Sequence, residues 1–397
     1  MSEPDIEFTL GAEISDRSIA ERDLGAVTAA IVASAPENWE WAHGQFAVTV
    51  TAHRAQVTYL RGERVIADTS PSAELMAAVR RHRSAAADSP EGPWWRLVVR
   101  VGRRADGDPV TEVETDYGVE PFPPEQLLPV QAYQADLAAH PRARLPVWLA
   151  AYLGHDGRQL RPPRQAAVHA ERTVGARSVP AVGELPDLGS MWSRWAVLSA
   201  VFAAIGSGRG PRIRPAVAVF ESARRGGSTL CLLPGRAVLS GGVWDAPELD
   251  KAYNVEGALP DLYSGAPEWV TDEVLNPRAG MGLLTFCYWW DDGHWYRGDS
   301  PAAAELATAI PGVWTADTVV DLVSRAVGSG AGRRSEVNPM AITELVAAVE
   351  LGAVGRAGLA AAFGDDDTVD IDAALRQLDM AGVIVDEVKS RRLRTEA

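Results

Sequence analysis

Alternating and helical spacings of apolar residues divide the first 153 residues into short elements. Leu24, Val27 and Ile31 recur at helical spacing. Phe46, Val48 and Val50 alternate with small or polar residues, as in a half-buried strand. The pattern predicts helices near 18–33, 71–83, 130–140 and 147–153, and strands near 46–51, 56–60, 64–67, 95–101 and 110–117. With the last two helices taken together as the closing helical element, the predicted order is α-β-β-β-α-β-β-α.

Residues 188–327 show the same order of predicted elements with little sequence identity. A helix near 190–205 precedes three strands, a loop-rich stretch with several aromatic residues, a hairpin and closing helices. The simplest architecture is two tandem units of fold class α+β, each a helical layer on an antiparallel sheet, with the second a divergent repeat of the first. Three further helices and a strand predict a small, mainly helical C-terminal module, which allows a winged-helix-like arrangement.

Two stretches without apolar periodicity separate these units. Residues 154–187 contain Pro162, Pro163 and scattered arginines, and residues 328–335 are rich in glycine. Both are predicted to be linkers. The predicted domains are therefore 1–153, 188–327 and 336–390.

Charge and cysteine content narrow the class of partner. The 397 residues carry a formal net charge of -15, which opposes binding to nucleic acid or to an anionic membrane. The longest apolar stretch, 195–205, is about half the ~20 residues that a membrane-spanning helix needs. Only Cys231 and Cys287 are present, too few for a disulfide framework or a cysteine zinc site. We expect a cytoplasmic protein that binds neither nucleic acid nor membrane.

Catalytic and metal-binding patterns do not emerge from the sequence. The seven histidines show no metal-ligand spacing, and neither a G-x-S-x-G turn nor a G-x-x-x-x-G-K-[ST] phosphate loop occurs. We therefore predict no cofactor, no metal and no catalytic residues, and a protein that is not an enzyme.

The strongest local signal is the aromatic stretch 289–296. Its Asp-Gly pair predicts a two-residue type I′ turn, which sets Trp290 opposite Trp295. One interpretation is an aromatic ligand or partner surface with Asp291 and His294 beside it. The favoured interpretation is a hairpin whose aromatic residues belong to the core, since both strand faces are apolar.

Three carboxylates lie on one face of the predicted strand 110–117, namely Glu112, Glu114 and Asp116. They are candidates for contact with a basic partner. Pairing across the preceding loop places arginines opposite Glu112 and Asp116, which favours ordinary surface ion pairs. Glu114, opposite Val98, is then the unpaired carboxylate and the best single candidate for a contact.

One run of residues comprises Val119-Glu120-Pro121-Phe122, Tyr133, Asp136-Leu137, Pro141-Arg142 and Pro146-x-Trp148. This run resembles the YezG-like family of bacterial immunity proteins. The resemblance covers the first unit and implies a small α+β cytosolic antitoxin that binds a cognate toxin and catalyses no reaction. It implies mainly structural roles for the motif residues: Tyr133, Leu137 and Trp148 pack helices onto the sheet, and Asp136 and Arg142 tie down helix ends.

Two other functions remain open. The element order is similar to that of type III secretion chaperone-like (YbjN-type) domains, which implies a protein that holds a secreted client. An enzyme with a site in the aromatic loop region of the second unit would lose turnover when Asp291 or His294 is changed to alanine. We predict a non-catalytic protein that binds a toxin with a basic surface and neutralises it by occlusion.

Overall fold

The fold is available as a computed structural model, which describes residues 22–87, 89, 91–103, 109–172, 178–222, 225–328, 338–364 and 368–383. Contacts divide the chain into two compact units, Met1–Leu153 and Gly154–Ala397. The division falls where the sequence predicts the first domain to end. Apart from Gly328, the predicted glycine-rich linker lies outside the described residues, as do residues 384–390 of the predicted C-terminal module.

The first unit contains four helices and five strands in its described residues. In chain order these are α1 (22–33), β1 (Trp41–Val48), β2 (His53–Arg61), β3 (Arg64–Thr69), α2 (Ala73–Ala85), β4 (Arg96–Arg103), β5 (Pro109–Asp116), α3 (Val130–Ala139) and α4 (Val147–Gly154). The strands form one antiparallel sheet in the order β3-β2-β1-β4-β5. This is the α+β arrangement that the sequence predicts.

The main core of the first unit lies between one face of the sheet and the helices α1 and α2. Phe46, Tyr59 and Leu97 point from the sheet into this core, and Val27 and Leu75 meet them from the two helices. These side chains alternate along each strand with residues of the second face, because successive strand residues point to opposite faces. The second face carries polar side chains such as Gln45 and Arg100 beside apolar ones such as Val98.

The second unit contains a seven-stranded antiparallel sheet in the order β6-β12-β11-β10-β9-β8-β7. Its described elements are α5 (Pro163–Arg172), β6 (Val179–Pro180), α6 (Leu188–Ala204), β7 (Arg212–Arg214), β8 (Val217–Glu221), β9 (Gly226–Leu233), β10 (Arg236–Val243), α7 (Pro247–Asn254), β11 (Phe286–Asp291), β12 (His294–Arg297), α8 (Ala316–Gly328), α9 (Pro339–Glu350), α10 (Arg356–Phe363) and α11 (Ile371–Met380). Short 3-10 turns lie at Glu268–Thr271, Pro277–Met281 and Ala303–Leu306.

The strand order of the second sheet corrects the expectation of a duplicated unit. In the first unit, α2 carries the chain back so that β4 pairs with β1. In the second unit, β11 pairs with β10, so strands β7 to β12 follow one another in the sheet. The expectation rested on element order alone, and element order does not determine which strands pair.

Both faces of the second sheet are covered, which explains its apolar strands. Leu239 and Tyr288 belong to the core that contains α6 and α8. Val238, Cys287 and Trp289 lie on the opposite face and pack against the loop-rich segment 262–284.

The predicted linker and C-terminal module are both parts of this second unit. The described part of 154–187 carries α5 and β6. Ile342 of α9 and Leu378 of α11 share one hydrophobic cluster with Trp195 of α6. The indole of Trp192 also donates to the Ala381 carbonyl at 2.9 Å. The C-terminal helices therefore do not form the separate module that the sequence predicts. Helices of eight to twelve residues, such as α9, α10 and α11, cannot bury their apolar faces alone.

Candidate functional site

The second face of the five-stranded sheet, which we call the outer face, carries the candidate carboxylates. The strand register aligns its side chains in rows that run from β1 through β4 to β5. The three rows that contain the carboxylates are His43–Arg100–Glu112, Gln45–Val98–Glu114 and Ala47–Arg96–Asp116. This is the pairing of β4 with β5 that the sequence predicts.

The three carboxylates differ in how far the sheet neutralises them. Asp116 pairs with Arg96 at 2.9 Å, and both side chains are more than four-fifths buried. Glu112 lies 3.9 Å from Arg100, with 61% and 54% of their side chains exposed. Glu114 faces Val98, and no ion pair to it is found among the described residues. The negative charge that arginine leaves unneutralised on this face therefore increases from Asp116 towards Glu112 and Glu114.

The segment between β5 and α3 covers one end of the outer face. Gln126 accepts a hydrogen bond from the Arg96 guanidinium at 3.2 Å and donates one to Gln45. Arg54 donates to the carbonyls of Pro124 and Glu125, each at 3.3 Å. The covered end is thus held by hydrogen bonds, whereas the row of His43, Arg100 and Glu112 lies beyond it.

His43 sits within the outer face as a neutral group. Burial, and then the charges of Arg100 and Arg96, lower the pKa of this histidine below its usual value. Its Nδ1 lies 3.4 Å from the Gln45 amide nitrogen, and its Nε2 is buried with no hydrogen-bond partner among the described atoms. At neutral pH the positive charges of this face therefore come from arginine.

Trp41 is the large exposed aromatic residue of the outer face, and the sequence analysis missed it. Its ring lies over Gly102 of β4, where an added Cβ would come within 2.7 Å of the indole. The side chain is 44% exposed. The signal was present, because Trp41, His43 and Gln45 alternate with Ala42, Gly44 and Phe46, which extends the strand pattern back to residue 41.

Four of the motif residues behind the immunity-family resemblance are buried, namely Phe122, Tyr133, Asp136 and Trp148. Tyr133 and Trp148 are buried, and Tyr133 packs edge-on against Trp95 at 5.3 Å between ring centroids. Burial raises the pKa of Tyr133 to about 12, so its hydroxyl stays protonated while it accepts from the Leu128 amide. The Trp148 indole donates to the Gly118 carbonyl at 2.7 Å. Leu137, Pro141 and Pro146 are more exposed than these aromatic residues.

The expected roles of Asp136 and Arg142 at helix ends are wrong in detail. The buried Asp136 carboxylate accepts from the Val50 amide at 2.9 Å and from the Arg83 guanidinium at 2.7 Å, and thus joins α3 to α2 and to the connection between β1 and β2. Arg142 donates to the carbonyls of Glu91 and Pro93, and its guanidinium lies 4.0 Å from the centroid of the Trp95 ring. Burial lowers the pKa of Arg142 to about 10, which leaves it charged at neutral pH.

The aromatic hairpin in the second unit belongs mainly to the core, as the favoured interpretation predicts. Asp292 and Gly293 have φ values of 47° and 78°, which a type I′ turn requires. Trp290 pairs with Trp295 at 5.4 Å between ring centroids. Trp295 is 4% exposed, and its indole donates to the Pro186 carbonyl at 2.7 Å.

Asp291 and His294 make local contacts at the end of this hairpin. The Asp291 carboxylate lies 3.1 Å from the Arg236 guanidinium on the neighbouring strand. The exposed His294 ring has its Nδ1 2.8 Å from the Asp292 carbonyl oxygen. These contacts stabilise the turn and the β10–β11 pair. A role for either residue in partner binding stays a prediction.

A groove of about 730 Å³ lies in the aromatic loop region of the second unit. Leu160, Pro162 and Ala166 line one side, and Glu268 and Trp269 line the other. The nearby Cys287 and Tyr263 are buried, and burial raises the pKa of each, so both stay protonated. The lining of the groove also includes a basic side chain, Arg161, and the acidic Asp272 and Glu273.

Comparisons with known proteins give no relative for this chain: no protein-family model matches it, and neither a curated protein nor a solved structure shows significant similarity. Among the described residues, no helix is both long enough and apolar enough to cross a membrane. The same residues contain no cluster of three or more histidine, cysteine or acidic side chains that could hold a metal ion.

Proposed function

We propose that this chain is a non-catalytic binding protein of the immunity type, which neutralises a toxin by covering its active surface. The observation that carries the proposal is the outer face of the first unit. It combines an exposed tryptophan, Trp41, with the exposed carboxylates Glu112 and Glu114. The resemblance of 119–148 to immunity proteins supports the same function.

The chemistry of the outer face favours a basic protein partner. Tryptophan supplies much of the binding energy where it becomes buried in an interface, and charge complementarity sets the partner and the rate of encounter. Acidic side chains at one end of the face and a net charge of -15 would both attract a cationic surface, such as that of a nuclease toxin. Such a toxin would be bound in the cytoplasm of the cell that the protein protects.

The proposal is tested by growth rescue. Each candidate toxin domain from the source genome is expressed from an inducible promoter, with and without the full chain. We expect one toxin to lose its lethality when the chain is present and to form a stoichiometric complex with it in size-exclusion chromatography. If the chain restores growth against none of these toxins, the proposal is wrong.

Charge reversal then tests whether the outer face is the binding surface. Glu112→Arg together with Glu114→Arg should weaken toxin binding at least about 100-fold, because like charges facing each other cost several kcal/mol. The control, Glu37→Arg with Glu63→Arg, makes the same change in net charge at exposed loop positions of the same unit. Equal rescue by both double variants would place binding on another surface.

A chaperone-like function is the second candidate, because the predicted element order of the first unit resembles that of the YbjN-type domains. A chaperone would hold a client that is extended or partly unfolded, whereas an immunity protein binds a folded toxin. Hydrogen exchange of the bound partner separates the two: native protection indicates immunity, and rapid exchange throughout the partner indicates a chaperone.

A further inference from the structure

Strand β5 is the longest uninterrupted sheet edge in the part of the chain that the structure describes. The described edge strands are β3, β5, β6 and β7. β6 and β7 have two and three residues, and β3 has six and a register shift in its pairing with β2. β5 has eight residues, all in continuous register with β4. Short length and bulges protect an edge from further pairing, and β5 has neither.

The two faces of β5 differ in chemistry. Glu112, Glu114 and Asp116 point to the outer face, whereas Thr111 and Val113 point to the opposite face, where Val113 is 37% exposed. Every second residue of an antiparallel edge strand also directs its amide and carbonyl away from the sheet. The edge therefore offers backbone hydrogen bonds between an acidic face and an apolar one.

A depression adjoins β5 on each face. On the acidic face, one of about 170 Å³ is lined by Val98, Arg100 and Glu114, among others. On the opposite face, one of about 590 Å³ lies between β5 and α1, with Leu24 and Val32 in its lining. An added strand would place alternate side chains in these two depressions, which is how strand addition selects sequence.

A second copy of this chain is a poor occupant of the edge. Antiparallel pairing of β5 with β5 would bring the carboxylates of Glu112 and Glu114 close to those of the other copy on the same face. Like charges opposite each other on neighbouring strands destabilise the pair. Parallel pairing would turn the second copy over, so that its carboxylates would continue the face that carries Val113. The charges that disfavour self-pairing favour a strand with lysine or arginine at alternate positions.

From this edge we infer that β5 accepts an extended segment of a partner protein as a sixth strand, with basic and apolar residues alternating along that segment. Its basic side chains lie against Glu112 and Glu114, and its apolar side chains lie against Val113 and the depression between β5 and α1. The inference rests on the proposed function, since it names the part of a basic partner that the first unit recognises.

The test uses the full chain and a defined peptide, Ac-Lys-Val-Lys-Thr-Lys-Val-Lys-Thr-NH₂. One control has the same composition with its four lysines consecutive, and another carries N-methyl groups on alternate amides, which removes edge hydrogen bonds. Isothermal titration gives the affinities, and hydrogen exchange maps the bound site. We expect the alternating peptide to bind at least about tenfold more tightly than either control and to protect the amides of 110–116 but not those of 64–69.

Neutralising the edge tests the role of charge. Glu112→Gln with Glu114→Gln should weaken peptide binding about fivefold, because two cross-strand ion pairs are lost. Equal binding of all three peptides, or protection outside 110–116, would overturn the inference. A chain that rescues growth but ignores the peptide keeps the proposed function and loses this inference. A chain that binds the peptide at β5 but rescues no toxin keeps the inference about the edge and loses the proposed function.

Discussion

Replacement of Asp136 tests the buried ion pair that ties the motif helix α3 to the rest of the first unit. The Asp136 side chain has no exposed surface, and that of Arg83 is 6% exposed. Arg83 also donates to the Trp94 carbonyl at 2.9 Å, so its position is fixed from two sides. Asp136→Ala would leave a buried guanidinium without its counter-ion and the Val50 amide without its acceptor.

The expected loss for Asp136→Ala is about 3–5 kcal/mol in the free energy of unfolding of the first unit, the usual range when one partner of a buried pair is removed. In a unit of about 150 residues, this corresponds to a fall in Tm of roughly 6–20 °C. Asp136→Asn should cost less than alanine, because the amide oxygen still accepts from Val50. Glu112→Gln is the control: its ion pair is exposed, and its loss should cost less than about 0.5 kcal/mol.

Urea unfolding of the full chain, followed by hydrogen exchange of peptides from α2 and α3, measures these losses in the first unit alone. A combined change, Arg83→Met with Asp136→Leu, should destabilise less than the sum of the single changes, because no unpaired charge stays buried. A loss below about 1 kcal/mol for Asp136→Ala, or strict additivity in the double variant, would refute the reasoning.

Three further predictions concern single contacts. Trp148→Phe keeps an aromatic ring but lacks the indole N–H that donates to the Gly118 carbonyl, so the midpoint of urea unfolding should fall by an amount equivalent to at least about 1–2 kcal/mol. Gly293→Ala should cost about 1 kcal/mol in thermal unfolding because its φ is 78°, although nothing lies within 4 Å to clash with the methyl group. Burial lowers the pKa of His82, which accepts from the Trp94 indole, so the unfolded state binds more protons. Stability should fall as pH drops below 6.5, and His82→Gln should flatten this part of a plot of unfolding free energy against pH.

The sequence predicts structure well where a feature depends on neighbours along the chain. The pairing of Arg96 with Asp116 and of Arg100 with Glu112 follows from alternation on two strands joined by a short connection. The Trp290–Trp295 pair follows from a two-residue turn. In both cases the two strands lie close together along the chain, which limits the possible registers, and the register determines which side chains meet.

Features that depend on distant parts of the chain cannot be predicted from local sequence patterns. The partner of Asp136 lies 53 residues away on another helix, so a local argument could offer only a helix end. The pairing of β11 with β10 in the second sheet is likewise a choice between strands. Apolar periodicity shows that a strand has a buried face, but it does not show which neighbour the strand will take.

The positions of these residues separate the part of the first unit that maintains the fold from the part that would recognise a partner. Tyr133, Asp136 and Trp148, which carry the family resemblance, are buried, so a bound toxin could not contact them directly. Trp41 and Glu114 are exposed and lie outside that motif. Substitution of the motif residues should therefore lower stability and binding together, whereas substitution of the exposed residues should change binding alone. If the proposed function holds, the choice of toxin can change without loss of the fold, because the residues proposed to contact the partner are not those that pack the core.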